Sequence, residues 1–133
     1  MKIETNKASG FILNYLVMVA EGHNYEIVDG AILTGRTVWR DFLAYDEEYS
    51  PSTNRDQGYE IVDRKKININ YCRDLRDKNG LYIHAEMNTH IYHGYWRGDH
   101  EKPLIAAMRC YVASKLGEEV DVPTELIQFE SQI

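Results

Sequence analysis

The chain is poor in cysteine. Cys72 and Cys110 are its only two, and no Cys-x-x-Cys pair exists. That argues against a zinc ribbon or a thioredoxin-type redox pair and makes reduced, cytosolic thiols the default. The sequence also lacks an apolar run of the roughly 18 residues a membrane span requires. Residues 11–20 are apolar except for Asn14, but the stretch is short and has neither the basic flank nor the small-residue cleavage site of a signal peptide. A cytoplasmic location without membrane association is therefore expected. Basic residues are outnumbered, and the net charge is −6. General coating of DNA or RNA needs clustered Lys and Arg, so that role is not expected. The one basic run, Arg64-Lys65-Lys66, is short and reads as a solvated helix end. Internal repeats and low-complexity segments are also missing.

What is present suits one folded domain of 133 residues, long enough to bury a core without a disulfide or metal. Residues 7–21 read as a helix with apolar side chains on nearly every face. Thr5 or Asn6 is placed to cap its start and Gly22 to end it. Residues 25–28 form a short extended run before the turn pair Asp29-Gly30, and a second strand lies within residues 37–45. A polar loop follows over residues 47–54, then a short helix over about 58–65. Residues 67–72 read as a strand, Asn79-Gly80 as a hairpin turn, and residues 81–90 as the returning strand. In that strand Leu81, Ile83, Ala85 and Met87 share one face. The last helix begins at Pro103 and ends before Gly117, with Leu104, Met108, Val112 and Leu116 as an inward stripe expected to be buried. Val120 and Val122 are extended, and a final turn or short helix carries Leu126 and Ile127. The expected fold class is α+β: a small antiparallel sheet packed with an N-terminal and a C-terminal helix.

Residues 103–117, PLIAAMRCYVASKLG, continued by Glu118-Glu119-Val120-Asp121-Val122-Pro123, resemble the C-terminal signature of NinX-like proteins, small accessory proteins of lambda-like phages. Two further blocks are similar: Tyr49-Ser50-Pro51-Ser52-Thr53 with Gln57-Gly58 and Ile61-Val62, and Leu13-Asn14-Tyr15 with Val19-Ala20-Glu21-Gly22. The chain departs from the family pattern at Asn14, where Asp is usual, at Arg55, where Trp is usual, and at Tyr59-Glu60, where Gly-Pro is usual. The resemblance implies a phage origin and the host cytoplasm. It implies no activity.

Catalytic signatures are incomplete. His84-x-Glu86 is half of a zinc deaminase motif whose Pro-Cys-x-x-Cys half is missing. His90 and His93 point to opposite faces of a regular strand and read as solvated. Asp77-x-Asn79-Gly80 with Glu86 has partial EF-hand spacing, but Leu75 would occupy the first ligand position. No nucleophile elbow, GxGxxG or P-loop occurs. Asp46-Glu47-Glu48 reads as a charged loop. No metal, cofactor or catalytic residue is expected.

Binding chemistry is better represented. Tyr49, Ser52, Thr53, Asn54 and Arg55 concentrate hydroxyls, an amide and a guanidinium, either as an anion site ahead of a helix or as an ordinary capped turn. Arg109 lies beside the apolar stripe of the last helix and needs a partner, either an internal carboxylate or a bound anion. Asn14 either satisfies core backbone or lines a pocket. Tyr92, Tyr95 and Trp96 with Arg97 form an aromatic–basic cluster suited to stacking on a base, to a protein contact, or to plain packing. The expectation is a non-enzymatic binder that sequesters a small nucleotide-like immune signal against host defence. Its site joins Tyr49, Ser52, Thr53, Asn54, Arg55, Arg109, Asn14, Tyr92 and Trp96 on one concave surface. The alternative is an inhibitor that blocks a host enzyme through an acidic, aromatic surface; an unrecognised hydrolase ranks last. A homo-oligomer is left open.

Overall fold

A computed structural model describes residues 1–73, 81–87, 90–97 and 102–132. Among these the strands are β1 (Lys2–Glu4), β2 (Glu26–Val28), β3 (Ala31–Arg40), β4 (Leu43–Glu48), β5 (Ile67–Arg73), β6 (Leu81–Met87), β7 (His90–Arg97) and β8 (Glu119–Asp121). The helices are α1 (Gly10–Glu21), α2 (Arg55–Lys65) and α3 (Pro103–Leu116), with 3-10 turns at Thr5–Lys7 and Thr124–Gln132. Helices and small antiparallel sheets make the fold α+β, as the sequence leads one to expect. There are three small sheets rather than one: β1 with β8, β2-β3-β4, and β5-β6-β7.

α3 lies at the centre. Every residue from Pro103 to Ala113 is buried, so the helix is enclosed all round rather than along one stripe. It packs on the β5-β6-β7 sheet, on α1 and on α2. Leu104, Met108 and Val112 are inside as expected, whereas Leu116 is only partly buried at the edge of the core, because the last turn emerges toward Gly117. In β6, Ile83 and Ala85 face the core and Tyr82, His84 and Glu86 are less buried, the period-2 alternation of a strand covered on one face.

α1 starts later than the sequence suggests. Thr5 does not cap it: its Oγ1 donates to Gly117 O at 2.7 Å and its N–H to Glu118 O at 2.8 Å, tying the N-terminal turn to the end of α3. Ser9 stands at the helix start without a side-chain cap. The C-terminus follows expectation. Gly22 is left-handed (φ 73°), and the His23 N–H reaches back to Met18 O, closing the helix in a Schellman-type turn. β2 and β3 are joined through Asp29-Gly30, with φ of 51° and 79°, the left-handed pair a two-residue hairpin demands. β4 extends through Glu48, so Asp46-Glu47-Glu48 is strand, not loop. α2 begins three residues before the expected start because Asn54 caps it, accepting from the Gln57 N–H at 3.1 Å. Asn79-Gly80 lies outside the described residues. The returning strand expected over residues 81–90 ends at Met87, and His90 opens a further strand, β7, which pairs with β6, Ile83 opposite Trp96. Cys72 and Cys110 are in no disulfide.

Candidate functional site

α2 presents Gln57, Glu60, Ile61 and Arg64 at i, i+3, i+4 and i+7, one face of a helix. Ile61 turns into the core, and the polar three line a cavity of about 500 Å³. Its other walls are Glu21 and His23 at the end of α1, Thr34, Gly35 and Arg36 of β3, and Glu47 and Tyr49 at the end of β4. The β3–β4 register shifts between Leu33 and Thr37, and Gly35 holds φ 86° there. That bulge turns the strand and carries Arg36 to the cavity mouth. The volume falls within the ordinary range of small-molecule sites.

Gln57 fixes the inner wall. Its Nε2 donates to Glu47 Oε1 at 2.6 Å and to Glu48 O at 2.9 Å, while its Oε1 accepts from the Ser50 N–H at 2.6 Å. Arg64 clamps the other side, pairing with Glu21 and, through Nε, with Glu60 Oε1 at 2.7 Å. Tyr111 Oη donates to Glu21 Oε2 at 2.7 Å. Burial alone would raise the Glu21 carboxyl, but the hydrogen bonds from Arg64 and Tyr111 outweigh it and hold the group below its ordinary value. Burial, with Glu21 adding to it, pushes both Tyr49 and Tyr111 well above the ordinary phenol range. Both are therefore neutral hydroxyls at physiological pH.

Two buried polar atoms of this wall have no hydrogen-bond partner among the described residues: Tyr49 Oη and Glu47 Oε2. Arg36 Nε lies 3.1 Å from Glu47 Oε2, close enough for an ion pair but misaligned for a hydrogen bond. The Arg36 side chain is 71% exposed, so water screens that pair and it is worth little. An orphaned buried group costs about 1–3 kcal/mol. Tyr49 and Glu47 thus each bring to the wall of the same cavity a buried oxygen that makes no hydrogen bond. His23 stands edge-on to the Tyr49 ring, centroids 5.5 Å apart.

Of the residues singled out from sequence, Tyr49 lines this cavity. Tyr49, Thr53 and Asn14 also line a neighbouring one of about 320 Å³, walled by Phe11 and Phe129. Asn14 and Ser52 are both buried and satisfy each other: Asn14 Oδ1 accepts from the Ser52 N–H at 3.0 Å and from Ser52 Oγ at 2.7 Å. Asn54 is spent on capping α2, and the loop N–H groups of Thr53 and Asn54 go to Ser50 O. Arg55 is exposed on the first turn of α2. Arg109 is not brought to the loop. It is buried, donates through Nε to Ala8 O at 2.7 Å, and lines a third cavity, of about 430 Å³, with Thr5, Lys7 and Glu118. Burial lowers its pKa from the ordinary arginine value. The side chains of Tyr92 and Trp96, like those of His90 and His93, lie outside the described residues. Glu21, His23, Arg36, Gln57 and Glu60 were missed. The helical spacing of Gln57, Glu60 and Arg64 is visible in the sequence, but only once α2 is started at Arg55.

No curated protein matches the chain. A solved structure of a phage protein from Bacillus cereus ATCC 14579 is similar, at 18% identity over 81% of this chain and 89% of that one, with a TM-score of 0.39. The family model described as Bacteriophage P22, NinX matches residues 5–115, a span that contains α1, the β2-β3-β4 sheet, α2 and nearly all of α3, and hence every wall of the cavity; the chain belongs to this phage protein family.

Proposed function

We propose that this phage protein acts in the host cytoplasm as a non-enzymatic binder, taking a small nucleotide-like molecule into the cavity between α2, the end of α1 and the β3–β4 ribbon, and so withholding a signal of host defence. The observation that carries this reading is that Tyr49 and Glu47, each with a buried oxygen that makes no hydrogen bond, both line one cavity of ligand size. A nucleobase edge offers what they lack. An exocyclic amine or ring N–H donates to the carboxylate, and a ring nitrogen or carbonyl accepts from the phenol. His23 and Tyr49 supply ring faces, and Arg36 and Arg64 supply positive charge toward a phosphate.

The same lining sets a limit. Glu21, Glu47, Asp56 and Glu60 outnumber those two arginines, so the field favours a ligand of low negative charge. A nucleoside or monophosphate is expected to bind more tightly than a triphosphate. Arg109 and Ser52 have no part in it, since one lies in another cavity and the other is buried against Asn14.

Calorimetry with bases, nucleosides and mono- and triphosphates tests the reading. Glu47→Gln removes a charged acceptor and is expected to weaken binding by about 1.5–3 kcal/mol, roughly 10- to 150-fold. Tyr49→Phe is expected to weaken it less, with a melting temperature at or above that of the parent because an orphaned hydroxyl is removed; Glu47→Gln gives up the charge that faces Gln57 and Arg36, so its melting temperature is expected to fall slightly. Absence of heat with every compound, or variants that bind as the parent does, would overturn the assignment.

A further inference from the structure

The β3–β4 ribbon reaches past the body of the protein. Among the described residues β4 packs extensively on β3 alone, and its tip carries large apolar side chains in water: Trp39 is 73% exposed, Phe42 is 100% exposed, and Leu43 and Tyr45 are about half exposed or more. Arg40 pairs with Leu43, which leaves a two-residue turn of Asp41 and Phe42. Both have positive φ, 50° and 67°. Asp tolerates that region; a bulky aromatic residue is strained there, and glycine is the residue a turn of this kind favours. The tip thus keeps a fully exposed ring at a position where folding alone favours no ring at all. Strain of this kind persists where a site has a use for it.

We propose that this tip is a docking element for a protein partner whose contact surface is an apolar cleft with a basic rim. Trp, Phe and Tyr exposed together are the residue types that anchor protein interfaces. The rim follows from charge. The β2-β3-β4 sheet, residues 26–48, holds six carboxylates and only Arg36 and Arg40 against them; Asp41 in the turn and Asp46 next to Tyr45 are exposed. A second copy of the chain brings the same sign to the contact and is disfavoured; so is a nucleic acid or an anionic membrane. The element is separate from the cavity, and its test is independent of the ligand.

Phe42→p-benzoylphenylalanine, irradiated in an extract of the infected bacterial host, is expected to form an adduct with one protein, to be identified and then purified. That protein is expected to bind the unmodified chain with an affinity that falls steeply between low and high salt. It should bind Phe42→Gly or Trp39→Ala about 30-fold or more weakly, and Asp46→Asn with a shallower salt dependence. Phe42→Gly relieves the turn, so its melting temperature is expected to match or exceed the parent's, which separates lost docking from lost folding. An adduct with a second copy, with lipid or with nucleic acid, no adduct, salt-insensitive binding, or full binding by Phe42→Gly would each overturn the proposal.

Discussion

Glu21 ends α1 with its side chain only 9% exposed, held by Arg64 from α2 and Tyr111 from α3. Its carboxyl titrates below its ordinary value of 4.5. A group whose folded pKa is depressed adds stability that is complete above the unfolded pKa and is lost as pH falls through the folded one. Resistance to urea is therefore expected to fall on acidification below about pH 4.5, and Glu21→Gln to flatten that part of the profile while lowering stability at neutral pH. An unchanged acid limb would show that Glu21 is not coupled to folding. Asn14 gives a second test. Its Oδ1 accepts both Ser52 donors, so Asn14→Ala leaves buried groups unpaired and is expected to cost about 1–3 kcal/mol, whereas Asn14→Asp keeps the acceptor. Neither linkage could be read from sequence. Asn14 was legible as a polar residue in an apolar helix, but its partner is 38 positions away, and local patterning does not reach that far.

Gly58 shows how an element constrains the site. It lies in the interior of α2, where glycine is disfavoured for a helix by itself. A Cβ there would stand 2.4 Å from Pro51 O and 2.7 Å from Leu104 Cδ2. The residue lets α2 press against both the Tyr49 loop and the start of α3. Gly58→Ala improves helix propensity in isolation yet is expected to destabilise the protein by about 1–3 kcal/mol. It is also expected to weaken binding at the cavity, because α2 carries Gln57, Glu60 and Arg64. A higher unfolding midpoint for Gly58→Ala would sink this account. The elements themselves were largely visible beforehand. The end of α1 at Gly22 and the whole span of α3 are written in glycine, proline and apolar spacing. α2 starts three residues before the expected Gly58 because Asn54, one of several residues suited to capping, is the one that accepts from the Gln57 N–H, and nothing in the sequence singles it out from Ser52 and Thr53.

At the scale of the molecule, α3 is the common floor on which α1, α2 and the β5-β6-β7 sheet rest. Met108, with no exposed surface, sits near its middle. Met108→Ala is expected to cost about 2–5 kcal/mol, seen as a lower urea midpoint with an unchanged slope, since one cooperative core would be weakened throughout. A change smaller than about 1 kcal/mol would mean that the core refills the space. The sequence by itself determined the α+β class, the central helix, the Asp29-Gly30 hairpin and the resemblance to NinX-like phage proteins. Those depend on short-range rules: apolar period, turn chemistry and a continuous signature. Tertiary structure decided where the chemistry gathers. It spent Ser52, Asn54 and Asn14 on internal bonds, placed Arg109 in another cavity, and drew Glu21, Arg36, Glu47, Tyr49, Gln57 and Arg64 together from α1, β3, β4, α2 and the loop between β4 and α2. A buried polar group must find a partner wherever the packing allows one, and which partner that is follows from how the helices and strands meet.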